Sequence, residues 1–166
     1  MARTVGEDHI QSFRFQVFEV AGGAGLLGAE NASAGFTTVT TPEITIETTD
    51  HRTGSEKLTR KHAGPPSFGD GTMSRGILRG DTTIYQWFMA YMSGLPFRAD
   101  LEIKVYDQTA WGVEPGNETV VAYQKWFNCI PTSYKLLGDL DASASDINMQ
   151  ELTVAVENVE YANEPA

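Results

Sequence analysis

Only one stretch of this chain, Asp81–Ser93 (DTTIYQWFMAYMS), carries apolar residues at helical spacing, while the segments around it alternate with a period of two. Ile84, Trp87, Phe88 and Tyr91 fall at i, i+3, i+4 and i+7 on one helical face, Asp81 is a suitable N-cap, and Gly94 suits the position just past the end. A second apolar row, Tyr85, Met89 and Met92, runs down a neighbouring face. A helix apolar over so much of its circumference is covered on more than one side. The pattern predicts a lone helix lodged among strands. One face packs on its own sheet, and the other is buried in the same core or against a neighbouring subunit.

The strands follow from alternation and composition. Phe13–Val20 alternates Phe13, Phe15 and Val17 against Arg14 and Gln16, and Phe36–Thr49 is rich in Thr, Val and Ile, with Pro42 marking an edge or a bulge. Residues 50–71 show little periodicity and carry five glycines and prolines between Gly64 and Gly71, which predicts a long extended loop. A short strand from Thr72 to Leu78 leads to the helix. Leu101, Ile103 and Val105 alternate in the next strand, and Glu114-Pro-Gly-Asn predicts a turn into a long strand, Thr119–Ile130. That strand has Val121, Tyr123 and Phe127 on one face and Val120, Ala122 and Trp126 on the other, so it is expected to lie between two layers. A short strand, Thr132–Leu137, a polar loop, Gly138–Asp146, and a final long strand, Ile147–Tyr161, complete the chain. The fold class is mainly β: an antiparallel barrel or sandwich with one helix against it.

Length and charge bound the function. The 166 residues suffice for one domain with a real core, spanning 1–166. A formal charge of −10 repels phosphate and argues against a nucleic-acid grip. The charge is uneven: residues 1–80 carry 8 Lys and Arg against 9 Asp and Glu, and residues 81–166 carry 4 against 13. Two unlike surfaces are expected. Cys129 is the sole cysteine, which excludes an intrachain disulfide or a cysteine metal cluster. No apolar run reaches membrane-spanning length, and MARTVGEDHI lacks the apolar core of a secretory signal, so a cytoplasmic protein without a membrane anchor is expected. The sequons at Asn31 and Asn117 then carry no glycan.

Motifs with chemical precedent fail one by one. Gly23-Ala-Gly-Leu-Leu-Gly28 fits the spacing of a dinucleotide fingerprint and follows a strand, but Glu30–Gly35 cannot open a helix of useful length. It reads as a turn. His9, His51 and His62 have no second ligand at metal-site spacing, and Asp139 and Asp141 fall in a polar turn with no companion base or nucleophile. No catalytic, metal or cofactor constellation is expected. The informative segment is DHRTGSEKLTRKH, residues 50–62, in which Arg52, Lys57, Arg60 and Lys61 face only Asp50 and Glu56. A basic arm on an acidic protein is suited to an acidic patch on another copy, and such head-to-tail contacts build filaments when they do not close.

With these residues in view, the chain resembles the rigid tube proteins of contractile tails, found in phage tails, tailocins and contractile injection systems. The resemblance rests on Arg60-Lys61 followed by Gly64-Pro65, Ser74-Arg75-Gly76, the helix bearing Trp87, Trp126-Phe-Asn, Pro131-Thr-Ser-Tyr-Lys135, Leu140-Asp-Ala142 and Met149-Gln-Glu-Leu152, all collinear from about Phe13 to Tyr161. It departs at His62-Ala63-Gly64, where the family has an apolar residue, Pro and Gly, and in a longer hairpin around Trp111–Asn117. The resemblance implies a tail-tube-like barrel forming six-membered rings around a lumen. Rings would stack inside a contractile sheath, with Arg52, Lys57, Arg60 and Lys61 on the stacking loop and baseplate and tail-terminator proteins at the ends. The lumen would pass DNA or an effector, and assembly would occur in the bacterial cytoplasm as part of a virion or phage-tail-like particle. From the charge asymmetry, Glu118, Glu151 and Glu157 are candidates to line the lumen. Rival readings are a tube-initiating first ring, a type VI secretion ring, and a monomeric barrel that binds a small ligand.

Overall fold

The computed structural model describes residues 14–20, 35–52, 54, 57–77, 79–95, 98–106, 120–138, 140 and 147–162. Along them run β1 (Phe15–Glu19), β2 (Phe36–Thr40), β3 (Ile44–His51), β4 (Arg60–Phe68), β5 (Asp70–Gly76), α1 (Thr83–Met92), β6 (Ala99–Tyr106), β7 (Val120–Lys135), β8 (Met149–Ala155) and β9 (Asn158–Ala162). A seven-stranded antiparallel sheet has the order β1-β6-β7-β8-β5-β2, with β9 also on β7, while β3 and β4 form a separate two-stranded sheet.

β7 is the strand on which the sheet turns. Its first half pairs with β6 and β9, Tyr123 lying opposite Ala162, and its second half pairs with β8, Lys135 lying opposite Glu151. Between the halves, Asn128 takes φ 53°, a left-handed conformation that asparagine tolerates better than most residues. The bend also moves burial out of step, from Ala122 and Trp126 before it to Cys129 and Pro131 after it. On the facing ribbon, Val156 and Glu157 separate β8 from β9, so both strands bend at one corner. Four residues pin that corner: Asp100 accepts from Asn128 N at 2.8 Å, Asn128 Nδ2 donates to Glu157 Oε2 at 2.9 Å, and Arg98 pairs with Glu157.

The core lies inside this bend. Val17, Leu101, Ile103, Trp126 and Cys129 meet Met73, Leu152 and Val154, and Ile84 and Trp87 of α1 complete the cluster. Helix residues touch strands from both halves, because Ile84 and Trp87 share one small apolar gap with Val17, Phe36, Met73, Leu101 and Leu152. Phe88 and Tyr91 are half-buried. At the C-terminus Gly94, at φ 84°, donates to Tyr91 O and Leu95 donates to Ala90 O, the paired bonds of a glycine-capped helix end.

Several expected boundaries are corrected. The segment predicted as a loop over 50–71 holds the end of β3 (Asp50 and His51), strand β4 and the start of β5. Its pattern was hidden because all eight residues of β3 and most of β4 are exposed, so no buried face imposes alternation. A bulge adds to this: Ile46 lies opposite Pro66 but Thr48 opposite Ala63, leaving one extra residue on β4. Gly64 sits there because a Cβ would come within 3.0 Å of Glu47 O. The expected strand Phe36–Thr49 is broken around the buried Pro42 into β2 and β3. Pro131, expected to divide two strands, is inside β7. The helix starts at Thr83 with Thr82 as N-cap, one residue later than expected.

Candidate assembly surfaces

The helix is held in place by a partly buried polar chain. Asp81 accepts from Thr83 N at 3.0 Å and Thr83 Oγ1 at 2.8 Å, so its carboxylate satisfies a first-turn N–H from one position before the N-cap. Its other oxygen takes Arg75 Nη2 of β5 at 2.9 Å. Arg75 is buried, lies over the ring of Phe36, and stands directly opposite Gln150 of β8. With the Gln150 amide oxygen turned toward the guanidinium, it accepts from Arg75 and its nitrogen donates to Tyr134 Oη of β7. Asp81, Arg75, Gln150 and Tyr134 therefore tie the helix to three strands. The Thr83 hydrogen bonds, then Arg75, hold the Asp81 carboxyl below its ordinary value against the opposing effect of burial, and burial pushes the Tyr134 phenol up. Sequence reading noted Ser74-Arg75-Gly76 only as a motif. An arginine in β5, six residues before the helix-opening Asp81, was the available signal.

That anchoring leaves the second apolar row of α1 outside. Tyr85 and Met89 are about 40% exposed and Met92 is 68% exposed. The helix thus presents one stripe to the core and one to the surroundings.

The basic arm is the distal part of the β3–β4 hairpin. Arg60 opposes His51 and Lys61 opposes Asp50, with Lys61 Nζ 3.7 Å from the Asp50 carboxylate. Arg52 and Lys57 lie in the exposed connection between the strands, beside Leu58. His51 and His62 are exposed strand residues whose rings stand 6.2 Å apart, and His9 lies outside the described residues. Toward the base, Ile44 opposes Phe68 and Ile46 opposes Pro66, so one face of the hairpin stem is apolar, and Ile44 and Ile46 are more than half exposed.

Of the three acidic lumen candidates, Glu118 lies outside the described residues. Glu157 is committed to the corner, bonded to Arg98 and Asn128. Glu151 stands on the face of β8 opposite to buried Gln150, Leu152 and Val154. On that face the register lines up Thr38, Ser74, Glu151 and Lys135 in one row, and Thr40, Thr72, Thr153 and Ser133 in the next. Thr38 and Ser74 hydroxyls are bonded to each other. Apart from Glu151 and Lys135, these two rows are short-chained and rich in hydroxyls, and the two charges balance.

Among the described residues no group of three or more His, Cys, Asp or Glu is placed to hold a metal ion, and no helix is long and apolar enough to cross a membrane. Cys129 is buried, and burial followed by the charge of Asp100 pushes its thiol up to about 12, far from a reactive thiolate. Gly23–Gly28, Asn31, Asn117, Asp139 and Asp141 lie outside the described residues.

The model of the family described as T4-like virus tail tube protein gp19 matches residues 11–160. No curated protein matches the chain. Solved structures share its fold, three of them as follows. A chain of the extended sheath-tube complex of the PVC extracellular contractile injection system is 22% identical over 96% of this chain and 95% of that one, with a TM-score of 0.77. A chain of the anti-feeding prophage baseplate is 16% identical over 96% and 99%, at 0.75. A chain of the tube terminating cap of the same prophage is 23% identical over 95% and 93%, also at 0.75.

Proposed function

The chain belongs to the family of the T4-like virus tail tube protein gp19, and from that membership we propose that it is the structural subunit of a rigid inner tube in a contractile, phage-tail-like particle. Six copies form a ring, rings stack head-to-tail around a lumen, a sheath surrounds the tube, and baseplate and terminator proteins close its ends. Sheath contraction drives the tube through a target envelope, and the lumen passes DNA or an effector. The role is passive, with no catalysis, metal or cofactor, and assembly takes place in the bacterial cytoplasm.

The observation that supports this reading best is the β3–β4 hairpin, exposed along the whole of β3. A two-stranded ribbon alone is at best marginally stable in water, and this one also exposes Ile44 and Ile46. A neighbouring copy supplies the missing cover. The second row of α1, Tyr85, Met89 and Met92, is suited to the adjacent subunit of the same ring, and joining of sheet edges between subunits satisfies backbone groups that an isolated chain leaves open. Within the tube, the hydroxyl-rich face around Glu151 is the surface best suited to the lumen, since it offers moving cargo neither apolar patches nor a strong field. The monomeric ligand-binding alternative is disfavoured because the apolar gap beside Trp87 is lined by core side chains with no polar group to orient a ligand.

Electron microscopy of the purified protein tests the proposal. Six-fold rings with a central hole, alone or stacked, are expected; a protein that stays monomeric at high concentration, seen by sedimentation, contradicts it.

A further inference from the structure

Helix α1 carries two sets of residues that satisfy the same helical spacing. Ile84, Trp87, Phe88 and Tyr91 follow i, i+3, i+4 and i+7, and so do Tyr85, Phe88, Met89 and Met92, each one position further along. One residue is about 100° of turn, so a helix rolled by that angle exchanges one apolar set for the other. The bulk of Ile84 and Trp87 favours the observed roll without enforcing it, because methionine adapts to irregular space and these two residues border a small apolar gap. Polar contacts supply the rest. Asp81 bonds the N–H and hydroxyl of Thr83 with one oxygen and Arg75 of β5 with the other. Arg75, only 3% exposed, reaches the Gln150 amide oxygen, and Gln150 meets the hydroxyl of Tyr134. The Tyr134 ring in turn stands 6.2 Å from that of Phe88, halfway along the helix. The same network therefore grips α1 at its first turn and at its middle.

We propose that Asp81, Arg75, Gln150 and Tyr134 are positioning residues that select which apolar set of α1 is buried, and thereby hold Tyr85, Met89 and Met92 outward. What the outward row does in assembly rests on the tube reading; the selection itself does not. A buried ion pair is better suited to selection than to stability. Replaced together by uncharged groups, such pairs are often neutral or stabilising, whereas removal of one partner leaves the other charge buried and unpaired. A rolled helix has that second effect. No member of the second set is charged, so Arg75 is left without its counter-charge unless Asp81 abandons Thr83. The wrong roll is thus penalised by a buried charge, the device by which a single polar residue fixes register in coiled coils.

The test removes the pair as a unit. In the double variant Arg75→Met with Asp81→Ser no buried charge is left unpaired, serine still offers an acceptor to the Thr83 N–H, and Gln150 keeps the Tyr134 hydroxyl as a donor. Circular dichroism and cooperative thermal unfolding close to the parent's are expected. Hydroxyl-radical footprinting, read residue by residue at a dilution where single chains prevail, then reports the roll. In the parent Met89 is expected to react and Trp87, 4% exposed, to be protected. In the variant Trp87 should react at least about threefold faster while Met89 reacts more slowly, as a helix shared between two rolls requires. Sedimentation of the concentrated variant should show rings lost. A parental footprint, parental rings, a joint rise of Trp87 and Met89 as in a helix that merely loosens, or a variant that no longer folds each overturns the inference. Absence of rings from the parent contradicts the tube reading instead, and leaves the footprint to decide this one.

Discussion

Gly71 has no room for a side chain, since a Cβ there would stand 2.5 and 2.6 Å from two ring carbons of Trp126, itself fully buried. The Gly71→Ala protein must push back a ring wedged between the two halves of the sheet. We expect a loss of about 1–3 kcal/mol in urea unfolding, or more where the ring cannot move. Asp81 acts at the same scale through charge. Its folded-state pKa lies below the ordinary 3.8, so its contribution is present above that value and is lost as pH falls through the lower folded one. Thermal unfolding followed downward from pH 6 should therefore lose stability mainly below about pH 4. Asp81→Asn should be less stable near neutrality, because the buried Arg75 loses its counter-charge, and should respond less steeply to acid. An identical acid profile in the two proteins would show that Asp81 does not carry the effect.

The helix is the element with one buried and one exposed apolar row. Trp87 is 4% exposed in the core, and Trp87→Ala should cost about 3–5 kcal/mol and yield largely insoluble protein. Met89, on the outward row, is 40% exposed, and Met89→Asp should leave the thermal unfolding of the single chain unchanged while abolishing ring formation in sedimentation. Normal rings from Met89→Asp would remove this face from the subunit contact. The core row was legible in the sequence, because a helical period of apolar residues marks a packed face, whereas the outward row Tyr85, Met89 and Met92 is exposed in the single chain. The hairpin was not legible. β3 and β4 bury no face of their own, a bulge at Gly64 shifts their register, and Pro65 and Pro66 imitate a loop.

At the scale of the whole molecule, if the basic hairpin of one copy meets the acidic second half of another, assembly is expected to be sensitive to ionic strength. Raising salt from about 0.1 to about 1 M shrinks the screening length from about 10 to about 3 Å. Stacks measured by electron microscopy are expected to shorten over that range. The double reversal Lys57→Glu with Arg60→Glu should shorten them at low salt without loss of circular dichroism; Lys61 is spared because its partner Asp50 lies 3.7 Å away and a reversal there would strain the hairpin itself. Lengths indifferent to both salt and reversal would show that the aliphatic contacts alone hold the rings.

What the sequence determined by itself is whatever leaves a local period or a local chemical mark. The mainly β class, the lone helix with its glycine stop, the buried rows of β6 and β8, the basic arm and the collinear family motifs all belong there. Tertiary structure alone decided where strands bend and what polar side chains meet. Nothing local in Trp126-Phe-Asn announces a corner, because Asn128 turns the chain only where Asp100 of β6 and Glu157, between β8 and β9, receive it. Ile147–Tyr161 reads as one strand for the same reason: its break at Val156 and Glu157 is set by the bend of its partner β7. Arg75, Asp81, Tyr134 and Gln150 are spread over 76 positions of the chain and form one network only because β5, β7, β8 and the start of α1 are brought side by side. Periodicity records which face of an element is buried, whereas the partners of a buried charge depend on strand order and register, which are properties of the folded whole.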